Sequence, residues 1–384
     1  MNLTSIYTYL KDRFGIVSYK TGSVAFLISR TVGAAFRLFL VAKVLQLLVF
    51  DLFDIPFAIT VIITIALIWL YTFKGGIKTI IFTDMLQTLF MLVSVVVTIA
   101  FLASALDLNS IGDIVTYTKE SNLSKVFFFE DSNDSQYFWK SFLSGIFITI
   151  TMTGLDQDMM QKNLTCRNLK DAQKNMVTFS IVLIFVNILF LVLGLMLTQY
   201  AAANGITASK DDLFPTIAML PEIGIITSAF FLLGLIAAAY SSADSALTSL
   251  TTSFCFDILD IENKPETERK GLRKRVHIGF SIVLVLVILL FDLIFKDVSV
   301  IWELFKAAGY TYGPLLGLFA FGLITKFEIK DKLVWVVAIA APLISYLINI
   351  SSKELFNGHE IGFEILIYNG LLMFLGLFLI KKKA

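Results

Sequence analysis

Apolar stretches long enough to span a membrane alternate with short polar ones along nearly the whole chain. A helix needs about 20 apolar residues to cross a hydrocarbon core of about 30 Å. Segments 22–49, 55–72, 77–105, 137–162, 175–202, 221–259, 276–295, 298–325, 333–350 and 361–380 meet that requirement. The pattern predicts an all-α polytopic membrane protein of about ten transmembrane helices. The sixth segment is too long for a core of about 30 Å at about 1.5 Å per residue, so it must tilt or carry a separate short piece outside. Within it, LIAAAYSSADSALTSLTTSFCFD at 235–257 has a polar stripe. On a wheel of about 100° per residue, Ser241, Asp244, Ser245, Thr248 and Thr252 share one face, and Ala243, Ala246, Leu247 and Leu250 fill the opposite one. Hydrocarbon penalises unpaired polar groups and above all a carboxylate, so the stripe must face protein, water or an ion.

Composition narrows the class. Of 384 residues, 57% are hydrophobic and only 16% charged, which excludes an ordinary soluble domain. The formal net charge of +1 offers no argument for a nucleic-acid partner. Cys166 and Cys255 cannot build a disulfide framework, and His277 and His359 are too far apart in sequence to suggest a metal site. The first 20 residues lack the apolar run of a cleavable signal peptide. No HExxH, P-loop or GxGxxG motif occurs. An intramembrane aspartyl protease needs a facing dyad, usually in a GxGD context, and Gly154-Leu155-Asp156 does not supply it. An enzyme is not expected.

Loop charge orients the segments. With alternate loops assigned to the cytoplasm, one side holds Lys11, Arg13, Lys20, Lys74, Lys162, Arg167, Lys170, Lys174, the basic residues of 261–275, Lys326, Lys330, Lys332 and Lys381–Lys383. The other side holds Lys119, Lys125, Lys210, Lys296 and Lys353. This bias fits the positive-inside rule and places both ends of the chain in the cytoplasm, as for a multi-pass protein of the plasma (inner) membrane. Residues 261–275 are expected to form a cytoplasmic basic loop. Gly75-Gly76 is expected to form a tight inside turn, and Pro314 to bend the eighth segment. No linker divides 1–384 into separate domains.

Some ionisable residues remain deep in the segments. Lys43, Lys140, Asp292 and Glu364 lie near segment ends, where they can snorkel. Asp84 lies about two turns into the third segment and Asp244 is central in the sixth; a deep charge costs about 2.5–3.5 kcal/mol or more. A hard cation such as sodium prefers hydroxyl, carbonyl and carboxylate oxygens, which Ser241, Ser242, Ser245 and an acidic partner supply. Helix Ser and Thr also bond back to the i−4 carbonyl, the plain structural reading. Arg30 and Arg37, seven apart, share a face of the first segment. They can recognise an anionic substrate, since guanidinium forks onto carboxylates, or form ion pairs inside the bundle.

Three stretches together resemble the sodium/solute symporter family, which includes sodium/glucose, sodium/proline and sodium/sialic acid transporters. They are YTFKGGIKTIIFTDMLQ at 71–87, GLDQDMMQKNLTCRNLKDAQK at 154–174, and the polar stripe itself. The resemblance covers essentially the whole chain. It implies an inverted repeat of five plus five helices, with substrate and sodium near the midplane, and Na+ as coupling ion. By resemblance, Ala238, Ser241 and Ser242 match the share of the main sodium site carried on this helix. Asp84 matches an aspartate that helps form a second sodium site in some members, with Ser241, Asp244 and Ser245 where its other ligands fall. Asp244 puts a carboxylate where some members have a hydroxyl.

Members of the family have more spans than this chain. LTSIYTYLKDRFG resembles the inside loop after the second core helix, so the fold is expected to be N-terminally incomplete and to hold about half of each site. Around the start of the GLDQD stretch, where sugar carriers place aromatic and amide groups, the chain has Thr149, Met152 and Thr153. Leu183 stands where those carriers use a basic residue. A glucose-type site is therefore not expected. Arg37 or Arg30 lies in the span where sialic acid carriers bind a carboxylate, which favours an organic anion, and Gln157 and Lys306 complete the substrate candidates. The expected function is sodium-coupled symport of a small organic solute by alternating access. The alternative is a transport-incompetent fragment, or a sensor relative of the same family acting with a separate partner.

Overall fold

In hydrocarbon a backbone must satisfy its own polar groups, and this chain does so with helices. The computed structural model describes residues 5–72, 77–208, 211–295 and 299–382, with the side chains of 71, 72, 77–83, 239 and 240 outside that description. Lys74, Gly75, Gly76, Lys210, Lys296 and Lys383 also lie outside it. In chain order the helices are α1 (Thr8–Arg13), α2 (Ile16–Leu45), α3 (Phe57–Thr72), α4 (Ile77–Ala105), α5 (Ile111–Glu120), α6 (Phe138–Thr149), α7 (Gln157–Leu164) and α8 (Leu169–Ala203). They continue with α9 (Leu213–Ala218), α10 (Ile225–Ser253), α11 (Glu266–Ile294), α12 (Val300–Ile324), α13 (Val334–Ile350), α14 (Ser352–Leu355) and α15 (Ile365–Leu379). Among the described residues, β-pairing is limited to an isolated bridge between Ile329 and Lys381.

Seven helices in the described residues are long and apolar enough to cross a membrane: Ile16–Phe53, Asp84–Ala105, Leu169–Ala203, Ile225–Ile258, Glu266–Ile294, Val300–Ile324 and Asp331–Ile350. The other three predicted segments differ from plain spans. Phe57–Leu70 and Ile365–Leu379 are shorter apolar helices, and the segment predicted at 137–162 is a pair bent by 59°. Phe185, Leu191, Leu290 and Leu347 are all more than half exposed. An apolar exterior is the normal surface of a protein whose solvent is lipid.

α2 is the axis of the bundle. One half carries Tyr19 and Phe26, which pack with Leu315, Phe319 and Leu377. The other half carries Ala34, Phe36 and Phe39, which pack with Ile65, Ala243, Leu247, Leu284 and Phe291. Thus α10 turns its apolar face toward α2 and α11, and its polar stripe is left to α4 and α7.

The predicted N-terminal loop is instead partly helical and docked in the core. Tyr7 and Leu10 are fully buried, and the Tyr7 hydroxyl donates to the Leu155 carbonyl at 3.0 Å. The predicted loop at 261–275 becomes helix from Glu266 onward, since Glu266 and Glu268 suit the positive end of a helix. The overlong sixth segment resolves into a short turn at Pro221–Ile223 and a helix that starts after Gly224, whose φ of 79° breaks the path between them.

The tightest contact joins α12 to α15. Gly309, Gly313 and Gly317 recur at four-residue spacing and face Ile365, Asn369 and Met373. A Cβ at Gly313 would overlap the Asn369 side chain, and one at Gly317 would come within 2.6 Å of the Gly370 carbonyl oxygen. Small residues let helix backbones approach where no hydrophobic force acts between them. Pro314 lies inside α12 without ending it. Its missing N–H leaves the Tyr310 carbonyl without its helical donor, and Asn369 Nδ2 donates to that oxygen at 2.7 Å.

Candidate cation site

The break between α6 and α7 places the first charged groups. The helix widens to an i→i+5 turn over Ile150–Gly154 and stops. Asp156 caps α7, its Oδ1 accepting the Asp158 N–H at 2.8 Å. Its other oxygen accepts the Tyr312 hydroxyl of α12 at 2.5 Å. Asp158, in the first turn of α7, accepts from Arg30 of α2 as an ion pair and from the Ser245 hydroxyl of α10 at 2.6 Å. These groups are buried. The cluster ties α2, α7, α10 and α12 together by charge-assisted hydrogen bonds, the strong kind in a dry interior.

One turn further along α7, Lys162 lies on the same face as Asp158. Its Nζ is 3.0 Å from Asp84 Oδ2 of α4, and the Ser241 hydroxyl of α10 donates to Asp84 Oδ1 at 2.7 Å. The side chains of Lys162 and Asp84 are 34% and 21% exposed, so this ion pair is reachable by water and the Arg30–Asp158 pair is not. Between Ser241 and Ser245 on α10 stands Asp244, fully buried, and neither of its carboxylate oxygens has a hydrogen-bond partner among the described residues. The charged groups that act on it are, in decreasing order, Asp84, Lys162 and Asp158.

The polar stripe of α10 therefore divides by role. Ser241, Ser245 and Ser253 donate to Asp84, Asp158 and Asp257. Ser249 and Thr251 bond back to carbonyls of their own helix, the structural alternative the sequence left open. Ser242 is half-buried and its hydroxyl has no hydrogen bond among the described residues. Ala238 faces α4, lining a cavity of about 190 Å³ with Met91, Ser94 and Gly234. The sequence reading directs Ser245 and Asp244 toward Asp84. In the structure Ser241 takes that place, because Ser245 lies one turn further on and meets Asp158 first.

Among the substrate candidates, Arg30 is committed to Asp158. Arg37, two turns along α2, is half-buried and has no hydrogen bond or ion pair among the described residues. Gln157 is buried and accepts the Ile6 N–H at 3.0 Å, so it holds the N-terminal segment in place. Met152 is partly buried and packs against the core cluster to which Tyr7 and Phe319 belong. Thr149 is exposed and bonds back to the Gly145 carbonyl. Thr153 is half-buried and Lys306 exposed.

Asp158, Tyr312 and Lys162 are the members sequence reasoning did not single out. The loop-charge reading assigns Lys162 to the cytoplasmic basic set, but the bend in the fourth segment returns it to Asp84. The signal available was the i, i+4 spacing of Asp158 and Lys162. Glu364 is also misplaced as a snorkelling residue: it is buried, and its carboxylate accepts the Gly362 N–H at 3.0 Å.

The donor set fits a small monovalent cation. Asp84, Asp244, Ser241 and Ser242 offer hard oxygens. Two of those groups, Asp244 and Ser242, have no hydrogen-bond partner to give up among the described residues. No group of three or more His, Cys, Asp or Glu side chains able to hold a metal exists among the described residues, so the set is a mixed carboxylate and hydroxyl one.

Comparison with known proteins agrees with this chemistry. The family model for the sodium:solute symporter family matches residues 2–327. The chain is 26% identical over 357 residues to the sodium/sialic acid symporter NanT of Aliivibrio fischeri, covering 90% of this chain and 68% of that protein. It is 27% identical over 341 residues to the sodium/sialic acid symporter SiaT of Proteus mirabilis, covering 85% of this chain and 66% of that protein. The fold is similar to a solved structure described as the substrate-bound outward-open state of a Na+-coupled sialic acid symporter with a novel Na+-site. The TM-score is 0.76 at 20% identity, over 99% of this chain and 78% of that one. The chain thus spans about two thirds of the length of these two relatives. These relatives are membrane transporters rather than enzymes, sodium is their coupling ion, and this chain belongs to the sodium:solute symporter family.

Proposed function

We propose that this chain forms a sodium-coupled symporter of a small organic anion, working by alternating access with sodium at Asp84, Ser241 and Ser242, beside the buried carboxyl of Asp244. The observation that carries the reading is the oxygen cluster between α4 and α10, where both oxygens of the buried Asp244 carboxyl stand without a hydrogen-bond partner among the described residues. An unpaired buried charge is costly, and such groups in a membrane mark ion pathways. Arg37 supports the anion class. It is the guanidinium near the bundle interior with donors to spare, and its planar fork suits a carboxylate. The relatives' printed substrate, sialic acid, is a carboxylate and is the first candidate. Coupling requires sodium to bind one access state better than the other. The positive-inside bias supports cytoplasmic ends in the plasma (inner) membrane.

The test is uptake into proteoliposomes driven by an inward sodium gradient, with sialic acid and simpler carboxylates as solutes. Saturable uptake is expected to vanish when potassium replaces sodium. Arg37→Gln is expected to raise the solute KM with sodium activation retained. Uptake indifferent to the cation overturns the reading.

A further inference from the structure

The ammonium of Lys162 lies inside the oxygen cluster proposed to hold sodium. Lys162 Nζ is bound to one oxygen of Asp84 and the Ser241 hydroxyl to the other, so an ion that takes Asp84 competes with the ammonium for it. Asp244, buried beside them, has no hydrogen-bond partner for either oxygen among the described residues. Asp84 is matched by Lys162 and Asp158 by Arg30, so Asp244 is the carboxyl of this cluster left without a cationic partner among the described residues. Resting on the sodium reading above, we propose that Lys162 is a tethered counter-cation. It holds Asp84 while sodium is absent and crosses to Asp244 when sodium takes Asp84.

The chemistry of each group suits this exchange. The lysine ammonium is a compact point charge on a flexible four-carbon stem, able to trade one carboxylate for another without the bidentate geometry that would lock an arginine in place. Lys162 is one-third exposed, so its head can move without dragging a buried group into hydrocarbon. Asp244 is the only charged residue on the part of α10 facing Asp84, and Lys162 is the cation that acts on it most strongly. With sodium on Asp84 and Lys162 on Asp244, both carboxylates are paired. Without sodium only one is. The lysine therefore sets the sodium requirement by competition, and Asp244 gives the displaced ammonium a destination inside the protein. The same exchange links sodium binding to the bend between α6 and α7, because Lys162 is carried on α7.

The experiment compares purified full chain in detergent with Lys162→Met, Lys162→Gln and Asp244→Asn. The first readout is thermal stabilisation by NaCl against choline chloride. Removing the competing ammonium is expected to lower the half-saturating sodium concentration about two- to fivefold, in line with the strength of a partly exposed ion pair. Lys162→Gln retains a hydrogen bond to Asp84 and keeps the test open if the methionine variant does not fold. The second readout is amine-reactive labelling of Lys162, followed by mass spectrometry. In the wild type, sodium is expected to leave labelling low, because Asp244 receives the ammonium. In Asp244→Asn, sodium is expected to raise labelling, because the ammonium has only solvent to go to. An unchanged or raised half-saturation in both lysine variants overturns the exchange, as does sodium-insensitive labelling in Asp244→Asn. A wild type without any sodium response removes the sodium reading and the exchange with it; a wild-type response that the lysine variants leave untouched removes the exchange alone.

Discussion

The α12–α15 contact and the junction of α4, α7 and α10 lie in one bundle and are built by opposite means. At the first, three glycines bring two backbones together, and the one carbonyl freed by Pro314 is taken by Asn369. At the second, the helices meet through carboxylates, hydroxyls and a lysine, and Asp244 and Ser242 are left over. The closed contact has little capacity to rearrange, because dense packing admits no intermediate positions. The open one holds groups whose pairing can change with what binds. A transporter needs both: a rigid frame, and a place where an ion alters the balance between two arrangements. Substitutions at each region should therefore differ in size and, in one case, in sign.

The largest effect is expected at the closed contact. Gly313→Leu drives a side chain into Asn369, and overpacking of this kind costs about 3 kcal/mol or more when neither neighbour can move. Here the neighbour is the residue that also caps the Tyr310 carbonyl. The variant is expected to give no monodisperse peak in size-exclusion chromatography after extraction. A well-behaved peak with a wild-type melting temperature would show that α12 and α15 are not held this closely.

Next in size is the buried pair between α2 and α7. Arg30→Ala leaves the buried Asp158 with Ser245 as its one side-chain partner among the described residues. Breaking a buried pair by removing one partner costs about 3–5 kcal/mol, somewhat reduced here by the remaining hydroxyl. The melting temperature should fall sharply, and the double change Arg30→Met with Asp158→Leu should recover much of it. Failure of the double change to recover would mean that Asp158 has further partners of equal weight.

Asp244→Asn is expected to change stability in the other direction. The carboxyl it replaces has no partner among the described residues, and burying an ionisable group costs more than burying a neutral amide of the same shape. Without sodium the variant should melt higher than the wild type, while the stabilisation that sodium adds should shrink. A lower melting point without sodium would show that Asp244 is paired in the resting protein. Opposite signs at Arg30 and Asp244, two acid–base positions in one bundle, sharpen the contrast between groups that hold the fold and groups kept for the ion.

How much of this the sequence disclosed follows from how local each feature is. The spans were legible because an apolar run of about 20 residues has essentially one solution in a bilayer. The α10 stripe was legible because a helix repeats on a short period, and so was the pairing of Asp84 with that stripe, through the family resemblance. The Arg30–Asp158 pair joins residues 128 apart and leaves no periodic trace. The break at Leu155–Asp156 is hidden inside an apolar run, though Asp156 as a helix cap two residues before Asp158 is a readable hint. The spacing of Gly309, Gly313 and Gly317 was on view as a small-residue repeat; what it packs against was not, because Asn369 lies on a separate helix.

The smallest expected effect bears on the residues that resemblance nominated and geometry did not gather. Thr149 is exposed and its hydroxyl is spent on the Gly145 carbonyl of its own helix. Helical back-bonding of this kind contributes little and can slightly bend the helix. Thr149→Ala is therefore expected to shift stability by no more than about 0.5 kcal/mol, the range of surface changes away from special features. Sodium-driven uptake should keep its KM and maximal rate. Because Thr149 precedes the wide turn at Ile150–Gly154 by one residue, a loss of uptake with unchanged stability would mean that this turn closes during the cycle and brings Thr149 to the solute. Such a result would move the substrate site from the Arg37 side of the bundle to the hinge of the broken helix.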